Sequence, residues 1–259
     1  MELRALRRDR AARIGPELFL VERAFADCLE RLALMQRGFE RALLIGCPDP
    51  LWAERLSEFC KSVTVRDPGP LFAKEAGGET IIEDVWVPAM ASYDLVLAIG
   101  TLDTVNDLPR ALMTVRLAMA PGALFLGAMS GGETLPRLRS AMRAADAIMG
   151  AASPHVHPRI EASALPPLLS RCGFANPVVD VDRVQVSYRS LGRLIDDLRR
   201  MAATNLLSER SRQPLSRRAA AAAAESFAEA SEDGRTAETF EILHFACWAP
   251  APGAHAPEG

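Results

Sequence analysis

Apolar positions follow two rhythms along this chain. Between residues 17 and 38, Leu18, Val21, Phe25, Cys28, Leu29, Leu32 and Met35 recur at helical spacing, which predicts a helix stopped at Gly38. From residue 41, short apolar runs alternate with helical patterns. "RALLIG" predicts strand one, "LWAERLSEFC" a helix, "SVTVR" strand two and "LFAKEAG" a short helix. "ETIIE" then reads as strand three and "YDLVLAI" as strand four. "LPRALMTVRLAM" is an amphipathic helix, and Pro121-Gly122 turns the chain into "ALFLGA", strand five. Strands with helices between them predict a parallel sheet covered on both faces.

Beyond strand five the spacing changes. "TLPRLRSAMRAADAIM" predicts a helix, "SPHVHP" a turn-rich loop, and "SALPPLLSRCGF" a further helix stopped at Gly173. "PVVDVDRVQVSY" alternates as one or two strands. "LGRLIDDLRRMAATNLL" and the alanine-rich "SRRAAAAAAESFAEA" predict two helices, since alanine is the best helix former, and "TFEILHFACWAP" a final strand. No internal repeat or strong linker breaks the pattern. The expected organisation is a helical segment (1–38), an α/β core (39–189), a helical insertion or lid (190–235), the last core strand (236–250) and a disordered tail (251–259).

Composition narrows the classes. A chain of 259 residues affords a sizeable core, and a net charge of −3 gives no electrostatic case for nucleic acid or an anionic membrane. Five cysteines, without a CxxC pair, argue against a disulfide framework and a zinc site and fit a reducing cytosol. No run approaches the ~20 apolar residues that span a bilayer. "MELRALRRDRAARIG" is arginine-rich like a transit peptide, but it holds Glu2 and Asp9 and no serine, so the expectation is a solvated helix belonging to the fold. A cytoplasmic location follows.

The strand–glycine–helix at "RALLIGCPDPL" is a candidate ligand turn, and Asp67 ends strand two about twenty residues later, where an acidic residue accepts ribose hydroxyls in nucleotide folds. The alternative for Asp67 is the start of a Pro-Gly turn. His155 and His157 form H-x-H, yet no neighbouring cysteine or carboxylate completes a metal ligand set. No Ser-His-Asp or Cys-His arrangement, Walker loop or basic-aromatic RNA pattern is identifiable.

The order of five parallel strands, a sixth strand and a late terminal strand resembles the class I S-adenosylmethionine (SAM)-dependent methyltransferases. That resemblance implies a Rossmann-like, mostly parallel seven-stranded sheet with helices on both faces. "YDLVLAIGTLDTVNDLPRAL", "MAPGALFLGAMSGGETLPRLR", "SPH", "RCGF" and "YRSLGRLIDDLRRMAATNLL" are similar to one subgroup. That subgroup holds the mitochondrial complex I assembly factor that hydroxylates an arginine, with its bacterial relatives. Malonyl-carrier-protein O-methyltransferases are more distantly similar.

The resemblance implies SAM as cofactor, held by Gly46, Cys47, Asp67, Glu83, Asp84 and Gly100, with Glu83 or Asp84 near the adenine. Pro48 and Pro50 stand at the second and third glycines of the family's "GCGRG", which weighs against cofactor affinity. Without the resemblance, Glu83 and Asp84 read as solvated loop charges. Asp103 and Thr104 replace a polar residue and an aromatic common in relatives, and Asn106-Asp107 with Pro109 reads first as a helix start. Gly131-Gly132 permits close backbone approach, and Ser130 or Thr134 is the expected cap of the next helix. Asp103, Glu133, His155, Tyr188 and Asn205 are the substrate-side candidates, with Asp197 a further polar position; no catalytic residue is assigned and no metal is expected.

Two function classes remain. One is an enzyme, SAM-dependent methyltransferase-like, as an arginine hydroxylase and assembly factor for respiratory complex I or as a small-acid O-methyltransferase. The other is a non-catalytic assembly or interaction protein with a degenerate SAM site. The expected partner is a complex I subunit or another protein substrate, which would hold the chain peripherally at an inner membrane; nucleic acid is not expected.

Overall fold

The computed structural model describes residues 2–251. The expected tail, apart from Ala251, therefore lies outside the described residues. Two helices, α1 (Glu2–Ile14) and α2 (Phe19–Leu34), precede the alternating core. The core runs β1 (Phe39–Ile45), α3 (Leu51–Leu56), β2 (Cys60–Asp67), α4 (Pro70–Glu75), β3 (Glu79–Thr80), β4 (Tyr93–Ile99), α5 (Leu108–Ala118) and β5 (Met119–Ser130). Then follow α6 (Pro136–Met149), α7 (Leu165–Arg171), β6 (Ala175–Tyr188), α8 (Leu191–Arg200), α9 (Arg217–Glu229), β7 (Ser231–Glu232) and β8 (Arg235–Trp248).

The sheet order is β3-β2-β1-β4-β5-β8-β6, with β7 paired to β8 as a short hairpin. β3, β2, β1, β4 and β5 are parallel, whereas β8 runs antiparallel to both β5 and β6. Seven strands thus form the continuous order of a Rossmann-like class I methyltransferase fold, and β7 is an eighth that the chain pattern did not announce.

Two buried clusters explain the apolar strands. Leu43 and Ile45 of β1 pack with Val96, Phe125, Leu112 and Leu169 on the face covered by α5 and α7. Ala42 and Leu44 point the other way, into Phe25, Trp52, Leu97 and Leu126 beneath α2 and α3. Alternation with both faces buried removes the polar positions that a half-exposed strand would show. A third cluster joins α6, α8 and α9 through Leu138, Leu194, Phe227 and Phe240.

Boundaries differ where packing overrides local pattern. Strand three shrinks to Glu79–Thr80, because β3 is an edge strand whose continuation turns at Ile82–Trp86, where the Trp86 N–H donates to the Ile82 carbonyl at 2.8 Å. The helix expected over 191–207 stops at Arg200, with Ala202 at φ +57°. β6 is one unbroken strand of 14 residues because it pairs with β8 along nearly its whole length. No described helix is long and apolar enough to cross a membrane.

Candidate functional site

The neighbours of β1 lie on opposite sides in sequence order, β2 and β4, so a crevice opens at the carboxyl ends of β1 and β4 where open α/β sheets take ligands. The turn after β1 is built for it. Gly46 sits at φ +85°, and a Cβ there would lie 2.4 Å from the Ile99 carbonyl oxygen, so only glycine fits. Gly100 closes β4 at φ +61° and faces Val21 of α2. The Cys47 N–H donates to Asp67 at 2.8 Å, and Asp49 accepts the Leu51 N–H at 2.9 Å, so the proline-bearing turn leads into α3 with its first donors satisfied. Burial, then the charges of Asp67 and Asp49, push the Cys47 thiol up to about 12, which keeps it neutral and unsuited to nucleophilic work.

The two acidic candidates at the crevice meet arginines from α1. Asp67 is fully buried, and its Oδ1 accepts Arg8 Nε at 2.7 Å and the Gly69 N–H at 2.6 Å. Its Oδ2 accepts Arg8 Nη2 at 2.5 Å and the Cys47 N–H at 2.8 Å. Burial works against the Arg8 charge, but the Asp67 carboxylate more than offsets it and the net direction is up. The Arg8 guanidinium also lies 5.2 Å from the Phe72 ring centroid. Glu83, 2% exposed, takes Arg4 bidentately at 2.6 and 3.0 Å, and Arg4 donates again to the Thr101 carbonyl at 2.6 Å. The N-terminal helix is therefore not solvated on this side: Arg4 and Arg8 are core residues of the crevice.

The remaining candidates divide. Asp84 holds the loop after β4, accepting the N–H groups of Asn106 and Asp107 at 3.1 and 2.9 Å, while Asp107 caps α5 through the Arg110 N–H. Asp103 lines the cavity and pairs with Arg159 at 2.7 Å, both side chains under 9% exposed. Glu133 is exposed and does not line the cavity. The expected caps of α6, Ser130 and Thr134, are replaced by Glu238 of β8, which accepts the Arg137 and Leu138 N–H groups at 3.2 and 2.8 Å. Thr134 instead bridges the backbone of Glu241. What approaches Gly131 and Gly132 closely is carboxylate: added Cβ atoms would lie 2.3 Å from Glu241 and 2.2 Å from Glu161. Tyr188 is buried in the α6–α8–α9 cluster, outside the cavity, and burial followed by the Asp197 charge pushes its hydroxyl pKa up.

Of the histidines, His155 is bound to Asp146 of α6 at 2.8 Å, outside the cavity, and it is His157 that lines the cavity. Asn205 ties its loop to the Pro154 carbonyl at 2.7 Å rather than facing the cavity. His157 Nε2 accepts the Leu206 N–H at 3.0 Å, which requires a neutral ring. Burial, then the Arg159 charge, lowers its pKa. A folded pKa below the unfolded value of ~6.5 means that the unfolded chain binds the extra proton first, so this contribution is lost as pH falls below ~6.5. Urea midpoints measured from pH 7.5 down to 5.5 are expected to drop less in His157→Gln than in the parent; equal slopes would refute the assignment.

With α1 seated, a cavity of about 130 Å³ remains, walled by Leu18, Val21, Ile99, Met129, Met201 and Ile242 and edged by Asp103, His157 and Arg159. Pockets for cofactor-sized ligands run from about 300 Å³. A carboxylate offers about four lone-pair positions, and those of Asp67 accept four donors already. In this arrangement the residues do not fit a nucleoside cofactor. Among the described residues no group of three His, Cys, Asp or Glu is placed to hold a metal. Sequence pattern missed Arg4, Arg8, Arg159 and His157; the four-residue spacing of Arg4 and Arg8, one helical face, was the available signal.

Comparisons with known proteins agree with this architecture. No protein-family model matches the chain. The YcgJ protein of Bacillus subtilis shares the fold at a TM-score of 0.61 and 10% identity, over 88% of this chain and 99% of that one. A malonyl-[acyl-carrier protein] O-methyltransferase of Xylella fastidiosa is 35% identical over 62% of this chain and 54% of its own length. The mitochondrial arginine-hydroxylase NDUFAF5 of Mus musculus is 33% identical over 241 residues, covering 89% of this chain and 70% of that protein. A match of that identity and extent, on a fold with the methyltransferase strand order, means that the chain belongs to the NDUFAF5 arginine-hydroxylase family.

Proposed function

We propose that this protein recognises an arginine side chain on a partner protein and serves in the assembly of respiratory complex I. The observation that carries the reading is the near full-length match to NDUFAF5, against the shorter match to the malonyl-carrier-protein methyltransferase.

Deleting the gene and weighing arginine-containing peptides of complex I by mass spectrometry tests the reading. Expected is loss of an oxygen adduct on a complex I arginine together with reduced assembled complex, both restored by the parent chain. Unchanged peptide masses and normal assembly would sink it. A second reading, assembly without catalysis, is favoured by the saturated Asp67 carboxylate. It requires reduced assembly with every arginine mass unchanged.

A further inference from the structure

Helix α1 docks with an unusual face. Its buried residues are Arg4, Arg8 and Ala11, about one per turn, while Leu6 and Ile14 face outward at 57% and 47% exposure. A helix held by apolar packing would show the reverse. What α1 brings to the crevice is two guanidinium groups, and they land on the two carboxylates, Asp67 at the end of β2 and Glu83 in the turn after β3.

We propose that α1 is an internal competitor for the nucleoside pocket: Arg4 and Arg8 occupy its polar half, and an adenosine-bearing cofactor enters only when α1 lifts away. The inference rests on taking the crevice as the site for such a cofactor. A guanidinium and a ribose diol both present paired donors to a carboxylate, so Asp67 cannot serve both at once. The Arg8 side chain also lies beside Gly69, whose added Cβ would be 2.7 Å from Arg8 Cβ, so the space is filled as well as the charge. Exchange is feasible because attraction within a buried ion pair roughly repays its desolvation, and α1 fully buries none of its leucine or isoleucine side chains. The helix is held by charge pairing, which a ligand with matching donors replaces.

The probe is S-adenosylhomocysteine, titrated calorimetrically into the full chain, into the double variant Arg4→Ala/Arg8→Ala, and into Ala11→Trp. The last leaves both arginines in place and levers α1 off through a residue 1% exposed. Because closure scales apparent affinity by the open fraction, both variants are expected to bind about tenfold or more tightly than the parent. Amide exchange on the parent chain gives a reading that no variant's folding can compromise. Saturating ligand is expected to accelerate exchange in residues 2–14. Equal affinity in all three proteins, or slower exchange in α1 on binding, overturns the inference and makes α1 a lid that closes over its ligand. Absence of binding in every protein overturns both the inference and the nucleoside reading of the crevice.

Discussion

Replacing Arg8 by alanine is expected to destabilise the fold by about 3–5 kcal/mol, the range for stripping one partner from a buried ion pair. Asp67 is fully buried and receives two N–H···O bonds from Arg8. Without them the carboxylate keeps the Cys47 and Gly69 N–H groups as its only donors among the described contacts. The reciprocal change, Asp67→Ala, is expected to cost at least as much. It strands a buried guanidinium and also orphans two backbone donors, each worth about 1–3 kcal/mol when left unpaired. Because those backbone donors need an acceptor, an apolar swap of both partners is not expected to recover the parent stability. Chemical denaturation of the three variants measures this directly. A loss below about 1 kcal/mol for Arg8→Ala would mean that water replaces the arginine, against the burial of Asp67.

The site was legible where its signals are local. Gly46 announces a turn because only glycine tolerates φ +85° with a carbonyl 2.4 Å from where Cβ would be. The Asp107 cap of α5 follows from the preference of Asp for that position and is seen in its bond to the Arg110 N–H. The sheet was legible for a related reason: apolar runs at β1, β4 and β5 are long and buried on both faces. Non-local chemistry was not. Arg4 meets Glu83 across 79 positions and Arg8 meets Asp67 across 59, and nothing in either segment names the other. Any rule that sends charges outward also inverts α1, whose Leu6 is exposed and whose Arg4 is core. The α6 cap failed likewise, since Glu238 arrives from β8 a hundred residues away. The same holds for His157 over His155: the neighbours that decide which ring faces the cavity, Leu206 and Asp146, lie on other elements.

Arg159→Ala is expected to cost a comparable ~3–5 kcal/mol, by leaving Asp103 buried without its cation. Here, however, the double change Arg159→Met/Asp103→Leu is expected to recover most of the loss, and the contrast with the Arg8–Asp67 pair follows from the contacts. Asp103 and Arg159 meet at one 2.7 Å bond, and Asp103 Oδ1 and Arg159 Nε are buried with no hydrogen-bond partner. No backbone N–H depends on the Asp103 carboxylate among the described contacts, so removing both charges strands nothing on the main chain. Apolar replacement of a buried pair with incomplete hydrogen bonding is neutral or stabilising when the volume is kept. The cavity wall beside Met129 and Ile242 would then continue in apolar side chains. Thermal unfolding of the single and double variants decides the matter. A double variant no more stable than Arg159→Ala would show that the Asp103 carboxylate supports the cavity edge through more than its arginine, and would make that edge the place to look for a bound substrate's cation.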